Sequence, residues 1–156
     1  MKTLVFQINI KPNGVEISGK KKFQYSSGLY DFSNKRAEDY ANKIGADYIC
    51  LKEHWDGLGD YFNNAKDYAP CYHKLALYEV AESYDKVFYL DSDAIVTKKC
   101  PDIFQYDCLS ATSDAILTTP AGKKRIQRKN EIHDLPSTHN YFCSGVILFD
   151  KKFFSF

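Results

Sequence analysis

Lys86-Val-Phe-Tyr-Leu-Asp-Ser-Asp-Ala-Ile-Val96 decides the fold. The apolar run from Val87 to Leu90 passes directly into two aspartates separated by one serine. A continuous apolar run of this length reads as a strand buried on both faces, the kind found in parallel sheets. In an extended chain residues i and i+2 share a face, so Asp91 and Asp93 are expected to project together while Ser92 turns aside. Open α/β sheets bind their ligands at the carboxyl ends of their strands, which is where this pair lies. Two carboxylates held there suit a hard divalent cation.

Upstream of this strand, Cys71–Tyr84 is expected to be a helix, with Pro70 in its first turn and Leu77, Val80, Ala81 and Tyr84 forming an apolar stripe. Nearer the amino end, Thr3–Ile10 reads as a strand and Pro12-Asn13-Gly14 as a turn. Residues from Lys11 to Phe32 form a long polar connection with no assigned structure. Ser33 then reads as an N-cap, followed by the helical stripe Ala37, Tyr40, Ala41 and Ile44, and Gly45 as the stop. Ala46–Leu51 is a second strand. Strand, helix, strand is the start of a βαβ unit, which predicts a parallel sheet. A loop rich in Gly, Asp and Asn fills Glu53–Ala69. Downstream of the aspartates, Pro101-Asp102-Ile103-Phe104 reads as a short turn or helix. Ala115–Thr119 and Gly145–Asp150 read as strands on either side of a basic, polar loop, Pro120–Asn140.

At 156 residues the chain is expected to be a single domain, 1–156, with 44% apolar residues to fill a core. The net charge of +1 gives no electrostatic case for nucleic acid or a membrane surface. No signal peptide is evident, and no apolar run approaches the roughly 20 residues that a transmembrane helix needs. The five cysteines, Cys50, Cys71, Cys100, Cys108 and Cys143, are odd in number and match no zinc spacing. They read as reduced thiols in a cytoplasmic protein.

Three blocks carry a resemblance. Tyr72 to Asp93 is similar, without gaps, to the helix and strand that lead into the Asp-x-Asp motif of glycosyltransferases of the GT-A fold. The nearest group is the retaining one that holds glycogenin and the bacterial lipopolysaccharide galactosyltransferases. Thr97–Phe104 resembles the segment that follows the motif, and Tyr141–Phe154 resembles a later strand block. The resemblance implies an α/β fold, a Rossmann-like three-layer sandwich with a mostly parallel central sheet, truncated at its carboxyl side. It implies a single, incomplete nucleotide-sugar-binding domain that moves a sugar from a nucleotide diphosphate sugar, UDP-linked by expectation, to a hydroxyl acceptor with Mn²⁺ or Mg²⁺. Retention of configuration rests on the resemblance alone.

Residue by residue, the resemblance makes Asp93 a direct metal ligand, with Asp91 sharing the metal or reaching the ribose. Ser92 joins them in the donor set. Lys74 falls where a basic residue contacts the donor, although lysine supplies a point charge where arginine would give a fork. Gln7 and Asn9, near the end of the first strand, could read a base or ribose. Ser144 and Gly145 fall beside the transferred sugar. Cys143 departs from the pattern, because the family usually has an asparagine there. The family's third metal ligand, a histidine, lies in a block beyond Phe156, and neither His133 nor His139 matches it in order. His54 and His73 read as partly exposed structural residues. Each assignment has an ordinary alternative: Asp91 to Asp93 a solvated acidic turn, Lys74 an exposed helix lysine, Gln7 and Asn9 strand-end polar residues, and Lys123–Lys129 a solvated loop.

Two other functions are compatible with the motif. One is a module or pseudoenzyme that holds the donor without turnover. The other is a hydrolase of the haloacid dehalogenase type, with Asp91 as nucleophile. Against the hydrolase, that signature usually opens the chain and continues into a Gly-Thr turn, whereas here Ala94-Ile95-Val96 follows the pair.

Overall fold

The computed structural model describes residues 1–10, 27–53, 73–107, 110–113 and 142–153, together with Pro120, Lys123, Lys124 and Gln127. Its elements in order are β1 (Thr3–Ile8), α1 (Ser27–Ile44), β2 (Asp47–Leu51), a 3₁₀ turn at His73–Leu75 running into α2 (Ala76–Glu82), β3 (Lys86–Asp91), a 3₁₀ turn at Ile103–Gln105, β4 (Ser110–Ser113), β5 (Phe142–Asp150) and a final 3₁₀ turn at Lys151–Phe153. The expected strands at Ala115–Thr119 and the turn at Pro12-Asn13-Gly14 lie outside the described residues.

One five-stranded sheet orders the molecule as β2-β1-β3-β5-β4. β2, β1 and β3 are parallel. β5 runs antiparallel to β3, and β4 antiparallel to β5, so β5 alone is reversed. A bulge between Ala111 and Thr112 shifts the β4–β5 register.

Alternation along β1 and β3 builds a core on each face, because successive side chains point to opposite sides of a strand. Leu4, Phe6, Ile8, Val87, Tyr89 and Ile147 pack with Ala76 and Leu77 on the α2 side. Val5, Phe88, Leu90 and Leu148 pack with Ala37, Tyr40 and Ala41 on the α1 side. The result is helix, sheet, helix: the three-layer arrangement that the βαβ pattern predicts. Both faces of β3 are covered, which is why its sequence is apolar without alternation.

Two local expectations are corrected, and one strand forms where none is expected. α1 begins at Ser27, so Ser33 lies inside the helix and fully buried, and is no N-cap. Its hydroxyl is drawn inward by a tertiary acceptor, the Ala94 carbonyl, at 2.6 Å. His73 is buried at the start of the 3₁₀ turn instead of partly exposed. β4 forms at Ser110–Ser113, a stretch that carries no apolar signal. Gly45 closes α1 as expected, with a positive φ of 71° that glycine adopts without strain.

Candidate donor and cation site

The parallel strands end at one level. Ile8 pairs with both Leu51 and Asp91, and the backbone N–H of Asn9 donates to the Leu51 carbonyl at 2.8 Å. Leu90 pairs with Val146, so Ser144 and Gly145 at the start of β5 lie at this same edge. Asp91, Asn9 and the Ser144-Gly145 backbone are therefore brought to one end of the sheet.

The strand stops at Asp91, and residues 91–94 form a turn closed by the Ala94 N–H on the Asp91 carbonyl at 2.9 Å. The expected extended geometry, with Asp91 and Asp93 on a common strand face, is thus replaced by a tight turn. The two carboxylates are still two residues apart around one bend, but Asp91 is the last strand residue and Asp93 stands out at the turn's exposed position.

Asp91 points to the α2 face, as its alternation with Tyr89 requires. The α2 side supplies its partners. Lys74, in the 3₁₀ turn ahead of α2, places Nζ 2.9 Å from Asp91 Oδ1, and the Tyr89 hydroxyl donates to the same oxygen. The Lys74 ammonium also lies 5.2 Å from the Tyr89 ring centroid. Side chains of Lys74 and Asp91 remain 26% and 35% exposed, so the pair is open to a ligand from solvent. Both bonds fall on Oδ1; among the described residues neither uses Oδ2.

The α1 face holds the turn from the other side. Gln7 is fully buried. The Tyr48 hydroxyl donates to its Oε1 at 2.9 Å, while its Nε2 donates to Ser33 Oγ at 3.3 Å and to the Asp91 carbonyl at 3.4 Å. Ser92 Oγ donates to the Ile8 carbonyl. Burial pushes the Tyr48 phenol above its ordinary pKa and does the same to the Cys50 thiol. Gln7 thus has no exposed surface, and its amide is turned inward to these partners. Asn9 is buried at the strand end as well.

α1 also grips the segment after the turn. Arg36 Nε donates to the Val96 carbonyl at 3.2 Å, and Lys43 Nζ to the Cys100 carbonyl at 3.1 Å. The Tyr40 hydroxyl donates to the Pro101 carbonyl at 2.7 Å and accepts from the Ile103 N–H at 3.0 Å. In the sequence Tyr40 shows only as part of an apolar stripe, and Arg36 and Lys43 carry no local sign of their distant carbonyl partners.

Residues 2–154 match the profile of Glycosyl transferase family 8. The chain belongs to this family. No curated protein sequence matches this family 8 chain significantly. Among solved structures it is similar to a glycosyltransferase involved in the glycosylation of the major capsid of PBCV-1, at a TM-score of 0.53 and 12% identity. The match takes in 97% of this chain and 61% of that one, so the family 8 chain spans less than two thirds of its neighbour's length. At that identity the likeness speaks for the fold: an α/β, Rossmann-like glycosyltransferase fold.

Asp91 and Asp93 offer hard oxygen donors at the rim of the sheet, a chemistry that fits Mg²⁺ or Mn²⁺. Among the described residues no group of three or more His, Cys, Asp or Glu side chains converges. Such cations are commonly held by one or two carboxylates completed by substrate phosphates and water, a donor chemistry that two carboxylates at this rim fit. Among the described residues, no helix is long and apolar enough to cross a membrane. His54, His133, His139 and most of the basic loop lie outside the described residues.

Proposed function

We propose that the chain is a divalent-cation-dependent glycosyltransferase domain that holds a nucleotide diphosphate sugar, UDP-linked, at the Asp91–Asp93 turn and transfers the sugar to a hydroxyl acceptor. The observation that carries this reading is the meeting, at the ends of the parallel strands, of the Asp91–Asp93 turn with an ammonium 2.9 Å from Asp91. An ammonium paired with one carboxylate, with a second carboxylate exposed two residues further on, matches a cation–diphosphate pair.

In this reading Asp93, the exposed member, and Asp91 through Oδ2 would hold the cation. When bound, that cation supplies Lewis-acid neutralisation of the diphosphate leaving group. Lys74 already neutralises Asp91 from the α2 side and lies close enough to donate to a phosphate oxygen, a charge-assisted bond. Ser92 is committed to the Ile8 carbonyl and so anchors the turn. Asn9 and the Ser144-Gly145 backbone border the space where nucleoside and sugar would lie, with Gly145 permitting close backbone approach.

Calorimetric titration of UDP with Mn²⁺ into the wild-type chain and into Asp93→Ala tests the reading. Binding to the wild type and its loss in the variant is the expected result. Equal binding by both would show that the turn is not the cation site.

A further inference from the structure

β1 is an apolar strand with one polar interruption in its buried stretch: Leu4, Val5, Phe6 and Ile8 surround Gln7, which has no exposed surface. A buried amide is costly unless its hydrogen bonds are made. Those of Gln7 are made, and they lead to one place. From Tyr48 the chain of bonds passes through Gln7 to Ser33, itself fully buried, and from Ser33 to the Ala94 carbonyl at 2.6 Å. A branch from Gln7 Nε2 reaches the Asp91 carbonyl at 3.4 Å. Both carbonyl ends of the 91–94 turn are therefore captured, and Ser92 ties its second residue to Ile8. Asp93 is the one turn residue whose side chain is left exposed.

We propose that Gln7 and Ser33 are positioning residues for this site: a buried relay that fixes the turn and so sets where the Asp93 carboxylate is presented. Ser33 serves as both acceptor and donor, which gives the relay a single direction from Tyr48 to Ala94. Neither residue touches a ligand; both act through the backbone of the Asp turn. Outer-shell partners of this kind commonly alter metal affinity by about 10–100-fold when removed. The inference rests on the cation–donor reading of Asp91 and Asp93.

The test compares Ser33→Ala and Gln7→Met with Lys86→Met, a variant at the opposite end of β3 that loosens the fold without touching the turn. Mn²⁺ affinity is measured by electron paramagnetic resonance, and exchange of the Ala94 amide by hydrogen–deuterium exchange. The relay variants are expected to bind Mn²⁺ about 10-fold more weakly and to exchange the Ala94 amide faster, while Lys86→Met retains wild-type Mn²⁺ affinity. Wild-type affinity in the relay variants, or an equal loss in Lys86→Met, overturns the inference. Should Ser33→Ala not fold, Gln7→Met, which keeps side-chain length, carries the same comparison. If the wild type itself binds no Mn²⁺, the proposed function fails; Ala94 exchange then decides the relay alone, and an unchanged rate in both relay variants refutes it.

Discussion

Replacing Lys74 with methionine should move two binding constants in opposite directions. The substitution keeps an unbranched stem of similar length and deletes the charge 2.9 Å from Asp91 Oδ1. At that separation two unit charges interact by about 1.4 kcal/mol in water and about 6 kcal/mol at an effective dielectric constant of about 20. The pair is a quarter to a third exposed, so screening brings the net value toward the lower figure, about 1 kcal/mol. Freed of its resident counter-ion, Asp91 should hold Mn²⁺ alone about 5-fold more tightly, the factor that about 1 kcal/mol gives. UDP in the presence of Mn²⁺ should bind about 10–100-fold more weakly, because a charge-assisted bond to phosphate contributes about 1.5–3 kcal/mol. Isothermal titration of Mn²⁺ alone, then of UDP at saturating Mn²⁺, measures both. Parallel weakening of the two, or no change in either, would refute the dual role argued for Lys74.

Three further outcomes concern stability. Lys86 is 6% exposed, with Nζ 2.9 Å from the carbonyls of Phe104 and Tyr106 and 2.5 Å from Asp107; Lys86→Met should lower unfolding free energy by about 2–4 kcal/mol in urea titrations, since two carbonyls lose a charged donor while an ammonium no longer has to be buried. The Asp107 end of this contact is 76% exposed and adds little, so Asp107→Asn should leave the urea midpoint nearly unchanged at neutral pH. On the alkaline side, burial raises the Tyr40 and Tyr48 phenols above their ordinary value. A group with a raised folded-state pKa contributes stability fully present below the unfolded pKa and lost as pH rises beyond it, so stability should fall once pH passes about 10. The double variant Tyr40→Phe/Tyr48→Phe should flatten that decline, as read from urea midpoints at successive pH values; an unchanged slope would contradict the assignment.

Much of the frame was readable from residues alone because it follows from local pattern. The unbroken apolar run of β3 announces a strand covered on both faces, and the stripe Ala37, Tyr40, Ala41 announces the inner face of α1. What escaped was polar and non-local. Ser33 precedes an apolar stripe, and a serine there reads equally well as a cap; only the Ala94 carbonyl, 61 residues away, makes it an interior residue. Gln7 looks like a strand-end amide until its partners arrive from α1, β2 and the end of β3. The apolar run puts the two aspartates at a strand end, but it carries no sign that the Ala94 N–H closes back on Asp91 and bends the chain before Asp93. β4 is held as an edge by its pairing with β5 and has no hydrophobic periodicity of its own to betray it.

The grip of α1 on the chain beyond the turn has a consequence for tolerance to change. Ser33, Arg36, Tyr40 and Lys43 recur at helical spacing, and they donate to the main-chain carbonyls of Ala94, Val96, Lys98, Cys100 and Pro101. A clasp that closes on backbone does not discriminate among side chains. The stretch it holds, with exposed Ile95, Thr97, Lys98 and Lys99, can therefore drift in sequence and acquire new surface chemistry without slipping out of place. Mutational freedom and constraint are divided within one contact: the outward positions of the held segment are permissive, whereas Val96, buried in the core against α1, and the helix itself are not.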